Sequence, residues 1–121
     1  MNIETALKEA MAIEGAMGAA LVDYDSGMSL GSLGGGPDLD LEIAAAGSTE
    51  VVRAEVRTLE SLAIDDSVED ILITLNRQYN LIRVLGRGHG RLFLYLALNR
   101  ERANLALARH HLRRIEAELS V

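Results

Sequence analysis

After Arg91 the chain runs Leu92-Phe93-Leu94-Tyr95-Leu96-Ala97-Leu98, seven apolar residues without interruption. A strand of this kind is covered on both faces, because no alternation leaves a side for water. It therefore belongs at the centre of a sheet, with material packed above and below. Few arrangements of 121 residues provide that.

The largest piece available for covering is the stretch from Pro37 to Ala63, which reads as one long amphipathic helix. At 100° per residue, Leu41, Ala44, Ala45, Val51, Val52, Val56, Leu59, Leu62 and Ala63 share a broad arc. Glu42, Glu50, Arg53, Arg57 and Glu60 cluster opposite. Pro37 suits a first turn, where its missing N–H would be an orphan anyway, and Asp38 favours the positive helix end. Two details depart from a plain surface helix. Glu55 falls inside the apolar arc, while Ile43 and Ala54 fall outside it. Ala44-Ala45-Ala46-Gly47-Ser48 is small all round, so another backbone could approach closely.

The remaining elements follow in order. Asn2 or Thr5 caps a first helix to about Ile13, and Gly15 stops it. Ala16 to Tyr24 reads as a strand of small residues, Asp25-Ser26-Gly27 as a hairpin turn, and Met28 to Leu33 as the returning strand. Gly34-Gly35-Gly36 leads into the long helix. Ser67 to Leu75 and Tyr79 to Leu85 form a second hairpin about Asn76-Arg77-Gln78. Gly86-Arg87-Gly88-His89-Gly90 connects to the central strand. Asn99 caps a last helix whose stripe is Leu105, Ala108, Leu112, Ile115 and Leu119, with Arg109, Arg113 and Arg114 away from it. The order is α-β-β-α-β-β-β-α. Two hairpins without βαβ alternation imply an α+β fold, an antiparallel sheet with helices on both faces. Nothing divides residues 1–121 into more than one domain.

Composition narrows the function. No apolar run approaches the roughly 20 residues of a membrane span. The N-terminus lacks the basic and apolar regions of a signal peptide, and the absence of cysteine fits a cytoplasmic setting. Eleven arginines to one lysine suggest a GC-rich bacterial genome. Residues 1–75 carry fifteen acidic against three basic side chains, a net of −12. Residues 76–121 carry three against nine, a net of +6. The two halves are expected to complement each other within one fold. With a total of −6, three Tyr, one Phe and no Trp, the chain lacks the basic, aromatic surface of a nucleic-acid binder.

No catalytic constellation emerges, so no enzymatic activity and no cofactor are expected. There is no His-x₃-His or His-Glu-x-x-His metal pattern. His110 and His111 are adjacent on a helix and cannot share a ligand. His89 with Arg87 and Arg91 could touch an anion, but a hairpin loop accounts for them. Gly34-Gly35-Gly36 lacks the Gly-Lys-Ser/Thr of a phosphate loop and reads as a tight turn. Ser26-Gly27 is no nucleophile elbow, and Asp23, Asp25 and Glu55 have no positioned partner.

The pattern as a whole resembles the roadblock/dynein light chain domain family. The likeness is carried by the helix order, the hairpin Gly18-Ala19-Ala20-Leu21-Val22-Asp23-Tyr24-Asp25-Ser26-Gly27-Met28, the long middle helix, the Asp70-Ile71-Leu72-Ile73-Thr74-Leu75 strand and the final helix to Leu119. It covers nearly the entire chain. The family's Asp-x-x-Gly hairpin appears as Asp23-Tyr24-Asp25-Ser26-Gly27, with one extra residue. The resemblance implies a five-stranded antiparallel sheet of order 2-1-5-4-3. It also implies a homodimer, with third strands paired edge to edge and middle helices meeting across the axis. In this chain that seam would comprise Leu41, Ala45, Ser48, Val52, Glu55, Asp70, Ile71, Leu72 and Ile73. Family members are non-enzymatic platforms that bind or regulate Ras-like small GTPases, act as GTPase-activating partners in bacterial polarity systems, or link cargo to dynein. The expected function is therefore a dimeric regulatory or scaffold module for a small GTPase or a related NTPase complex. The alternative is a small-molecule-sensing domain, which would need an apolar pocket with converging polar groups.

Overall fold

In the computed structural model, which describes residues 1–86 and 88–121, eight elements follow in the expected order. They are α1 (Ile3–Met11), β1 (Ala16–Asp23), β2 (Met28–Gly34), α2 (Leu41–Ser61), β3 (Asp70–Thr74), β4 (Gln78–Val84), β5 (Leu92–Asn99) and α3 (Leu105–Glu118). The strands form one antiparallel sheet in the order β2-β1-β5-β4-β3. β5 lies at its centre, as its unbroken apolar run requires.

Side chains of β5 alternate between two cores. Leu92, Leu94, Leu96 and Leu98 pack with Leu7, Ala10 and Ile13 of the α1 region and with Ala108, Leu112 and Ile115 of α3. Phe93, Tyr95 and Ala97 pack on the other face, with Ala45 and Val52 of α2. All seven are buried. Full burial of a leucine or phenylalanine contributes about 1.5–3 kcal/mol, so this one strand anchors both layers. Burial also raises the Tyr95 phenol above its ordinary 10.0, so it stays neutral through the physiological range.

α1 is capped by Asn2, whose side-chain oxygen accepts from the Thr5 amide at 2.9 Å. Thr5 is inside the helix rather than at its cap. The start of α2 differs more. Gly36 and Leu39 exchange two backbone hydrogen bonds, at 3.1 and 3.0 Å, which places Pro37 and Asp38 in the turn between them. The helix begins four residues later than Pro37 suggests, at Leu41. Its cap is Asp40, which accepts from the amides of Glu42 and Ile43 at 3.0 and 3.2 Å. It ends at Ser61. Ala63, expected inside it, has φ 53°, the left-handed conformation that closes helices.

The turn is fixed by tertiary packing. A Cβ on Gly35, which has φ 80°, would lie 2.8 Å from the Leu39 carbonyl. On Gly18 a Cβ would lie 2.9 Å from a Leu39 methyl. The small residues of β1 thus admit the entry to α2.

α3 also starts later than expected. Asn99 remains in β5, opposite Gln78, and its amide donates to Gly15 O at 2.8 Å. The cap is Asn104, which accepts from the Leu107 amide at 3.1 Å. No helix among the described residues is long and apolar enough to cross a membrane.

Candidate interaction surface

Among the described residues β3 is bonded to β4 on one side only, so its other edge is open. Alternate N–H and C=O groups along such an edge remain available to another chain. α2 lies beside this edge. Between them runs a groove of about 700 Å³ lined by Val51, Ala54, Glu55 and Thr58 of the helix and by residues 66–71. Above it, α2 presents an unusually apolar outer surface. Ile43 is 71% exposed and Val51 38% exposed, Ala54 is exposed, and a Cβ on Gly47 would meet nothing. The arc expected from periodicity is therefore displaced. The face turned to the sheet centres on Ala45, Ser48, Thr49 and Val52, and leaves Val51 and Glu55 outside.

This displacement sorts the expected seam residues. Ala45, Ser48 and Val52 are buried against the chain's own sheet, with Ser48 8% exposed. Leu41 is half-buried against the same core. Glu55 is exposed beside the groove. Asp70, Ile71, Leu72 and Ile73 are half-buried along the open strand. Ile71 and Ile73 lean on the α2 core, Leu72 on the opposite one. Asp70 turns toward α3, where its oxygens accept from Arg109 Nε and Nη2 at 3.2 and 3.4 Å. Periodicity alone missed Ile43, Gly47 and Ala54 as outer-face residues of one surface. For Ile43 and Ala54 the signal was their position outside the apolar arc, and for Gly47 the run of small residues from Ala44 to Ser48.

The other candidates are structural. Arg53 donates to the carbonyls of Tyr24 and Asp25 at 2.7 and 2.6 Å, tying α2 to the β1–β2 hairpin. Arg91 pairs with Asp25 at 3.2 Å, away from His89, whose Nε2 lies 3.1 Å from the Leu119 carbonyl. The anion reading of that loop is thus split, and Arg87 lies outside the described residues. The triple glycine leads to the Pro37–Asp38 turn, while Asp40 occupies the first amides of α2. His110 is exposed and His111 half-buried, with ring centroids 5.8 Å apart. No group of three metal-ligating side chains occurs among the described residues. Arg83–Glu69, Arg91–Asp25 and Arg109–Asp70 pair the basic half of the chain with the acidic half.

A five-stranded antiparallel sheet of order 2-1-5-4-3, with one long helix on one face and two helices on the other, defines a class of α+β domain. No family model matches the sequence, and no curated protein matches it. Solved structures do match. A Roadblock/LC7 domain from Streptomyces avermitilis is similar with a TM-score of 0.80 at 14% identity, over 97% of this chain and 93% of that one. MglB from Myxococcus xanthus gives 0.75 at 18% identity, over 94% and 78%. The gliding protein MglB from Thermus thermophilus gives 0.70 at 20% identity, over 95% and 88%. At these identities the likeness is one of fold, and the chain has the roadblock/LC7 fold.

Proposed function

We propose that residues 1–121 form a roadblock-like, non-enzymatic regulatory or scaffold module. It works as a homodimer in the cytoplasm and binds a Ras-like small GTPase or a related NTPase complex. The observation that carries this reading is the open β3 edge beside the apolar outer face of α2. An unpaired strand bearing Ile71, Leu72 and Ile73 is an aggregation hazard unless covered. A second copy covers it by pairing β3 with β3 and laying α2 against α2. Glu55 and the half-buried β3 residues border that seam, together with Ile43, Gly47, Val51 and Ala54. The joined helices and sheets then give a broad, continuous platform for a protein partner. The groove on this face is a surface feature bounded by α2 and a strand edge, which suits a protein better than a small ligand.

The seam is tested by charge. Ile73→Lys should dissociate the dimer, because burying an unpaired ammonium costs several kcal/mol, on the order of 100-fold or more in the dimer dissociation constant. Ile73 also leans on its own α2, so Val51→Lys, at an exposed position, serves as a second variant. Sedimentation velocity reads both. Two folded variants that dimerise as wild type would rule this seam out.

A further inference from the structure

Charge changes sign along β3. From Glu60 to Asp70 the chain holds five acidic residues and no basic one. Past the strand, the β3–β4 turn carries Arg77 and the β5–α3 loop carries Arg100 and Arg102, against one acid, Glu101. The fold joins these two segments. The Arg100 amide donates to the Arg77 carbonyl at 3.1 Å, and Arg100 Nη1 donates to the Leu75 carbonyl at 2.8 Å. β3 thus runs from an acidic end to a basic one. Most of these charges are not neutralised within the chain. Among the described residues, Asp65, Asp66, Arg77 and Arg102 are exposed and form no ion pair. The Glu69 side chain is 77% exposed and reaches Arg83 only at 3.8 Å.

We infer that the two ends of β3 close a charge clasp between copies of this chain: Arg77, backed by Arg100 and Arg102, of each copy faces Asp65, Asp66 and Glu69 of the other. The inference rests on the β3-to-β3 seam proposed above and adds what orients the pairing. Two strands paired across a two-fold axis run antiparallel, so the end of one lies beside the start of the other. A register centred anywhere from Ile71 to Ile73 sets Arg77 opposite a position between 65 and 69. The basic end therefore meets the acidic end, and symmetry makes the contact twice. Parallel pairing would set acid against acid and base against base, which is unfavourable. Both grounds select a second copy as the occupant: complementary charge at the two ends of one strand, and continuity with the apolar seam of Ile43, Gly47, Val51 and Ala54. Each copy carries −6 overall, so the clasp supplies attraction where like charge would otherwise oppose association. Charges at the rim of an interface govern encounter and its salt dependence.

A charge swap read by sedimentation velocity on the full chain tests this. One variant carries Arg77→Glu with Arg102→Glu, the other Asp65→Arg with Asp66→Arg, all at exposed positions. Alone, each variant sets like charges together in both clasps, and its dimer dissociation constant at low salt should rise ~10-fold or more. Mixed, the two should recover the dimer, because the heterodimer holds one native clasp and one of reversed sign. Glu9→Arg with Glu14→Arg makes the same change of net charge at exposed positions on the α1 side and should leave the dimer as in wild type. The wild-type dimer itself should weaken as salt rises from ~50 to ~500 mM. Swap variants that each dimerise like wild type, a mixture no more dimeric than its components, or an equal effect of the α1-side control overturns the inference. In those cases the β3 seam still stands if Ile73→Lys dissociates the chain. A wild-type protein that is monomeric at every concentration and salt removes the seam and the clasp together.

Discussion

Phe93→Ala should lower the stability of the fold by about 3–5 kcal/mol, the usual cost of emptying a large buried aromatic site. Phe93 is fully buried on the α2 side of β5, in register with Val22 of β1 and Val84 of β4. Its ring stacks with Tyr24 at a centroid distance of 6.5 Å. The site cannot collapse easily, because its walls are two neighbouring strands and a helix that the same core holds in place. Stability of a domain this size is on the order of 5–15 kcal/mol, so the loss is a large share of the total. Urea denaturation should show a lower midpoint with an unchanged slope. Leu107→Ala, at a residue 46% exposed on α3, should stay within about 0.5 kcal/mol of wild type. Equal effects at the two positions would contradict the placing of β5 at the sheet centre.

Glu116→Ala should cost about 3 kcal/mol for a different reason. Arg83 of β4 and Glu116 of α3 form an ion pair at 2.7 Å, with side chains only 13% and 15% exposed. The second Glu116 oxygen accepts from the Gly86 amide, also at 2.7 Å. Truncation leaves a largely buried guanidinium facing its remaining acid, Glu69, at 3.8 Å, and removes the acceptor of the exposed Gly86 amide. The damage comes from the partners left behind, not from the lost attraction alone. Glu116→Gln keeps an acceptor and should cost distinctly less. The difference between the two variants, measured in the same denaturation experiment, isolates the loss of acceptor geometry. Identical costs would mean that hydrogen bonding at this site is unimportant.

What the sequence made legible follows from how local each signal is. β5 could be read directly, because seven consecutive apolar residues admit one environment. The first hairpin was marked by Gly27 and the second by the polar run Asn76-Arg77-Gln78 between two apolar strands, and the order of elements came from counting them. The start of α2 was not decidable locally. Pro37 and Asp38 both suit a first helical turn, which favours a start near residue 37, whereas the cap is Asp40. The packing of Leu39 on Gly18, a contact between distant residues, selects Asp40. Asn99, read as the cap of α3, is held in β5 by its pairing with Gln78, and Asn104 caps the helix instead. The rotation of α2 is likewise a property of the sheet beneath it. Periodicity identified an apolar stripe, but the sheet took Ala45, Ser48 and Val52 for the core and left Val51 and Glu55 outside. The Arg83–Glu116 pair bridges residues 33 apart in different elements, and no motif announces it.

The most direct test of the functional account is a pull-down from lysate of the source organism with the wild-type chain as bait. It is run once with a non-hydrolysable GTP analogue and once with GDP, and the captured chains are identified by mass spectrometry. The account predicts a Ras-like GTPase retained in one nucleotide state and lost in the other. Capture of no GTPase in either state would contradict it, leaving the roadblock fold without the regulatory role proposed for it.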